Sequence, residues 1–197
     1  MNLKKIIFLT LLVVILVLVG IFLFKNEEVD ESKLSLNSKE EVDLYADYEE
    51  YKKSDWGFEV KYPKDWEQKK IDENGENLSI AFFSPKEDNL DVFIENVIVF
   101  ASKAEGQDFD ELMGEGIKEM AEDPVKELIE NRKTSISGYP AYVLEYLVTD
   151  YATKSKYLHY FINAGERWYQ ILYTARIDTY DDHFKTVEKI INSMVIK

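Results

Sequence analysis

The 197-residue sequence contains no cysteine. That absence removes disulfide staples, thiol catalysis and thiolate metal sites together. It also excludes a lipid anchor carried on a processed N-terminal cysteine. Only two histidines are present, too few for a histidine-rich metal centre. The sequence lacks the nucleophile elbow GxSxG, the phosphate loop GxxxxGK[ST], the zinc helix HExxH and the dinucleotide loop GxGxxG. Positive charge is scarce: 24 Lys and Arg face 38 Asp and Glu, for a net charge of −14. Such a surface repels nucleic-acid phosphates and anionic lipid head groups and attracts cations or basic partners. No internal repeat or low-complexity tract is present. No cofactor and no catalytic residue are expected from these absences.

What is present begins with Ile6–Phe24, a 19-residue apolar run interrupted only by Thr10 and Gly20. As a helix it would be about 28 Å long, close to the roughly 30 Å hydrocarbon core of a bilayer. A cleaved secretory signal has a shorter apolar region followed by small residues at a cleavage site. Here the run continues into Phe22-Leu23-Phe24-Lys25-Asn26, so a retained single-span anchor is expected. Lys4 and Lys5 precede the run, and Glu27, Glu28, Asp30 and Glu31 follow it. The positive flank belongs in the cytoplasm, which puts the large C-terminal domain on the extracytoplasmic side of the cell membrane.

The expected organisation is a tail over 1–5, a transmembrane anchor over 6–24, an acidic linker over 25–53 and a globular domain over 54–197. Within the linker, Ser38 and Glu41 have capping-box spacing, and Val42, Tyr45, Tyr48 and Tyr51 recur every third residue. That spacing suits a short helix packed on the domain, or a linker that never orders. Alternating Phe58, Val60 and Tyr62 predict a first strand ended by Pro63, with Trp66 in the following turn. Leu78–Phe83 and Phe93–Ala101 read as further strands, the latter central because it is apolar on both faces. Phe109, Leu112, Met113, Ile117 and Met120 have helical spacing, with Asp108 and Glu111 as the cap pair and Pro124 closing the helix. A polar strand over 127–136 follows, then a turn at Ser137-Gly138-Tyr139-Pro140. Strands over 141–149, 155–162 and 167–175 form a meander. A last helix over 179–194 carries the stripe Tyr180, Phe184, Val187, Ile190, Ile191 and Met194, with Asp178 as its N-cap. The order predicts an α+β fold, an antiparallel β-sheet flanked by helices, preceded by a single transmembrane helix.

An ordered set of short patterns points further. Gly57-Phe58-x-Val60-x-Tyr62-Pro63-x-Asp65-Trp66 opens the domain. Phe83-Ser84-Pro85-Lys86-Glu87-Asp88 leads into Glu95-Asn96-Val97. Gly138-Tyr139-Pro140-Ala141-Tyr142, Trp168-Tyr169-x-Ile171-x-Tyr173-Thr174-Ala175 and Ile190-Ile191-x-Ser193-Met194 complete it. The set, covering about residues 55–197, resembles the PsbP-like domain family, named after an extrinsic subunit of the photosystem II oxygen-evolving complex. The resemblance implies an antiparallel sheet flanked by helices, on a prokaryotic membrane-anchored member. One fold hosts unrelated roles, so it implies no particular partner.

The best local metal-ligand pattern is Asp178, Asp181, Asp182 and His183, which could hold a divalent cation. The same acids also suit a helix N-terminus, where they stabilise the macrodipole, and that second reading is preferred. Glu87, Asp88 and Asp91 form another acidic loop, without the ligand order of a calcium-binding loop. His159 falls in a strand as a structural histidine. Trp66, Trp168 and Tyr169 could line a groove, although strand aromatics more often pack in cores. Asn77-Leu78-Ser79 matches a glycosylation acceptor. The functional expectation is a membrane-anchored, extracytoplasmic, non-catalytic binding or assembly module for another envelope or membrane protein. A divalent-cation-binding surface protein is one alternative; a hydrolase or transferase with a carboxylate-based site is another. Protease added to intact cells should degrade the C-terminal domain. Protection that disappears only on lysis reverses the topology.

Overall fold

The computed structural model describes residues 44–86, 93–104, 106–150 and 153–197. The apolar run at 6–24, the segment 25–43 and the acidic residues Glu87, Asp88 and Asp91 lie outside the described residues. Among the described residues no helix is long and apolar enough to cross a membrane.

Among the described residues, ten strands and two α-helices follow in order. They are β1 (Tyr48–Lys53), β2 (Phe58–Pro63), β3 (Glu67–Glu73), β4 (Asn77–Phe83), β5 (Asn96–Lys103), α1 (Phe109–Glu122), β6 (Lys126–Ile136), β7 (Tyr139–Asp150), β8 (Thr153–Asn163), β9 (Arg167–Arg176), α2 (Tyr180–Asn192) and β10 (Val195–Ile196). Seven strands form one sheet in the order β3-β4-β5-β9-β8-β7-β6, and β1-β2-β10 form a second. Every pair is antiparallel.

Period-two alternation decides what each face of the large sheet meets. Leu78, Ile80 and Phe82 of β4, Val97, Val99 and Ala101 of β5, and Tyr169, Ile171 and Tyr173 of β9 share one buried face. The small sheet contributes Phe58, Val60 and Tyr62 to the same cluster, and α2 contributes Val187, Ile190 and Ile191. The Tyr62 and Phe82 rings lie 4.6 Å apart, and Phe58 meets Tyr169 edge-on at 5.9 Å. The Tyr169 hydroxyl donates to Trp56 O at 2.8 Å, and the Tyr173 hydroxyl donates to Tyr180 O at 2.8 Å. Both bonds satisfy a buried hydroxyl while pinning a flanking segment to the central strand.

The opposite face is also apolar. Ile98, Phe100, Leu144, Tyr146, Phe161, Trp168 and Leu172 are buried there. The first turn of α1 lies over it, with Phe109 against Trp168 at 5.7 Å and Tyr142 at 5.9 Å. His159 stands among these residues, 0% exposed. With the proton on Nε2, it donates to Gln170 Oε1 at 2.9 Å. Nδ1 is buried without a partner. It is the structural histidine the sequence implied.

Three elements differ from the sequence reading. Tyr48–Lys53 is strand β1, whereas its tyrosine spacing suggested a helix within a linker ending at residue 53. Six residue pairs join β1 to the edge of β2, and the Tyr51 ring packs against Phe58 and Phe82. Edge pairing thus outweighs the local spacing, and part of the supposed linker is built into the domain. Strand β3 carries the sequence EQKKIDE and has no apolar alternation to reveal it. It is an edge strand, where charged side chains face water and discourage pairing with other chains. Strand β10 is two residues long, and Ile196 N donates to Ser137 Oγ at 2.9 Å.

Gly57 adopts φ +69°, and a Cβ there would sit 3.0 Å from Lys197 O and 2.9 Å from Arg167 Nη1. Gly57→Ala should therefore cost ~1–3 kcal/mol in urea unfolding, from left-handed backbone strain and crowding. A second outcome concerns acid. Burial holds His159 down to about 3, against an ordinary value of 6.5, with the Gln170 hydrogen bond opposing. The unfolded chain takes up a proton below pH 6.5 that the folded chain refuses. Stability is therefore lost as pH falls through that value. The loss should reach about 2 kcal/mol between pH 7.5 and 5.0. His159→Gln should flatten this part of the profile; an unchanged slope contradicts the assignment.

Candidate functional site

The four residues proposed as metal ligands surround the start of α2, and the fold does not gather them. Arg176 donates from Nε to Asp178 Oδ1 at 3.0 Å and also pairs with Oδ2 through Nη2. That contact holds the Asp178 carboxyl below its usual range. Asp178 is consequently not the N-cap of α2. Thr179 is, without a side-chain cap bond, and its hydroxyl donates to the buried Glu95 carboxylate. Asp181 and Asp182 are exposed in the first helical turn. His183 turns the other way, edge-on to Trp66 at 5.9 Å, with Nε2 buried and unpartnered. Among the described residues no three His, Asp or Glu side chains converge as a metal site.

The three aromatics do not form one groove either. Trp66 packs on the α2 side, Tyr169 points into the core between the sheets, and its neighbour Trp168 points to the α1 face. Alternation along β9 forces the last two apart.

A cleft of about 300 Å³ lies at the start of α1. It is lined by Asp108, Phe109, Asp110, Lys133, Thr134, Pro140, Ala141, Tyr142 and Asn163. Local rules explain how these residues meet. Asp108 caps α1 as its sequence position implied, accepting from Glu111 N at 2.9 Å. This fixes Phe109 and Asp110 in the first turn. Ser137 and Gly138 have φ of 52° and 82°, the two-residue hairpin conformation that suits strand twist. Ile136 then pairs with Tyr139, and three steps along the ladder place Lys133 opposite Tyr142. Asn163 ends β8, and its Oδ1 accepts from Gly165 N at 3.0 Å.

The centre of the cleft is Asp110. Tyr142 OH donates to its Oδ1 at 2.6 Å, and Lys133 Nζ donates to the same oxygen at 3.1 Å. The Lys133 ammonium also lies 4.9 Å from the Tyr142 ring centroid. The Tyr142 hydrogen bond, then Lys133, keep the Asp110 carboxyl below its usual value. Hydrogen bonding to Tyr142 and Asp110 raises Lys133. The wall of Phe109, the Tyr142 ring, Pro140 and Ala141 is apolar, and the rim holds two carboxylates and one ammonium. Such a cleft suits reversible binding of an amphipathic group. The sequence reading reached Asp108 and the turn at 137–140 but not the cleft. The Ser-Gly hairpin signal could have placed Lys133 beside Tyr142, whereas the approach of Asp110 depends on tertiary packing.

No curated protein matches the chain in sequence. Several solved structures share its fold. Cyanobacterial PsbP from Synechocystis sp. superposes with a TM-score of 0.56 at 19% identity, over 82% of this chain and 99% of that one. PA94 from Pseudomonas aeruginosa, a protein of unknown function, gives 0.55 at 13% identity, over 76% and 97%. LpqN from Mycobacterium tuberculosis, described as involved in cell envelope biogenesis, gives 0.54 at 13% identity, over 71% and 83%. The family model described as PsbP-like protein matches residues 7–196. That span includes every residue of both sheets and both helices described above, and the chain belongs to the PsbP-like protein family.

Proposed function

We propose that the protein is a non-catalytic binding or assembly module, tethered to the cell membrane by residues 6–24. Its C-terminal domain works on the extracytoplasmic side and holds another envelope or membrane protein. The observation that carries this reading is the cleft at the start of α1. It joins an aromatic wall to polar groups already satisfied by one another, an arrangement suited to recognition. The carboxylate there is ion-paired and held acidic, the opposite of the raised carboxyl that proton transfer requires. The 19-residue apolar run beside an acidic domain supports the tether and the compartment. The role in envelope biogenesis described for the mycobacterial fold relative fits the same reading.

A photo-crosslinking residue placed at Thr134 tests the proposal in living cells. A defined partner band should form in the parent protein and vanish with Tyr142→Ala, while the unfolding midpoint stays within a few degrees. A band insensitive to Tyr142→Ala removes the cleft from the proposal.

A further inference from the structure

We propose that the cleft selects a basic side chain, an arginine or lysine on an extended segment of the partner, and that Lys133 fills its seat in the free protein. The inference rests on the binding reading given above. Lys133 Nζ lies 3.1 Å from Asp110 Oδ1 and 4.9 Å from the Tyr142 ring centroid. A carboxylate and an aromatic face together are how proteins hold a cation. The seat is therefore already built and already occupied, from within the chain.

The occupant is replaceable. The Lys133 and Asp110 side chains are 67% and 68% exposed, and ion pairs so exposed contribute little. An arginine is the better tenant. Its planar guanidinium can face Asp110 while stacking on the Tyr142 ring, and its stem can lie along Phe109 and Pro140. The charge balance of the lining agrees, since Asp108 and Asp110 oppose Lys133 alone. The α1 N-terminus would otherwise favour an anion, but Asp108 caps it, and Asp110 and Glu111 in the first turn already serve it. The chain's net charge of −14 draws basic segments toward it.

The test uses the full-length protein and three capped peptides: acetyl-Pro-Arg-Pro amide, its uncharged citrulline twin and acetyl-Pro-Glu-Pro amide. Affinity is read by titration, and location by amide chemical shifts of residues 108–110, 133–142 and 163. The arginine peptide should bind at the cleft and the citrulline twin at least tenfold more weakly. Asp110→Asn should weaken the arginine peptide about tenfold. Lys133→Ala should strengthen it at least threefold by emptying the seat. That last sign is diagnostic: a loss or no change on Lys133→Ala overturns the proposal. Preferred binding of the glutamate peptide overturns the ligand class and leaves the cleft a binding site. Failure of all three peptides, with the Thr134 crosslink still abolished by Tyr142→Ala, does the same. A crosslink indifferent to Tyr142→Ala overturns the binding reading itself.

Discussion

The antiparallel pairing of β5 with β9 is the constraint on which the rest of the structure depends. It runs unbroken from Asn96–Thr174 to Lys103–Arg167. It joins the early strands β3 and β4 to the late meander β6–β8, which would otherwise be separate sheets. The pair is also where both faces of the large sheet are most apolar, with Val97, Val99, Ile171 and Tyr173 on one side and Ile98, Phe100 and Leu172 on the other. A one-residue slip of β9 would turn Gln170 and Thr174 toward the small sheet, and a slip of β5 would turn Asn96 there. Register here is therefore enforced by two cores at once. Everything between the two strands, including α1 and the hairpin that builds the cleft, is an excursion that must return to this ladder.

Buried polar groups add direction to an otherwise non-directional core. Tyr169 and Tyr173 lie on one face of β9 and bond the backbone at Trp56 and Tyr180. They hold the short turn before β2 and the start of α2 at fixed positions along the same strand. Glu95 performs a related task from the residue before β5, accepting from Thr179 at the helix boundary. A carboxylate there also meets the positive end of the helix dipole. The N-terminus of α2 is thus served by a residue remote in sequence, and the nearby acids remain on the surface.

This explains which parts of the fold were legible in the sequence. Strands β2, β4, β5 and β7–β9 alternate or run apolar, and the α2 stripe is unbroken, so burial itself wrote their pattern. The α1 cap at Asp108 was legible because capping is local. Strands β1 and β3 were not, because their stability comes from hydrogen bonding to a neighbour's edge, which leaves no periodic trace in charged segments. Asp178 was misread as a cap for the same kind of reason: Arg176, two residues away, competes for it, and only the folded geometry decides. Of the cleft, the Lys133–Tyr142 pair follows from the Ser137-Gly138 hairpin. The arrival of Asp110 over that pair does not follow from any local rule.

The small sheet has a mechanical consequence. Strand β1 takes up the chain entering at Leu44, and β10 lies on the other side of β2. Tension on the chain at Leu44 would meet the Tyr45 hydroxyl bond to Lys189 O and the Lys64 N bond to Asp47 O, and then the β1–β2 ladder. Drawn along the strands, six residue pairs share the load, and the Tyr51 ring wedged against Phe58 and Phe82 resists sliding. The cleft lies on the far strands of the large sheet, and the small sheet meets its hairpin at the Ile196 N bond to Ser137 Oγ. Strain applied to the chain at Leu44 would act on Tyr45 and β1 before it acted on the strands around Asp110.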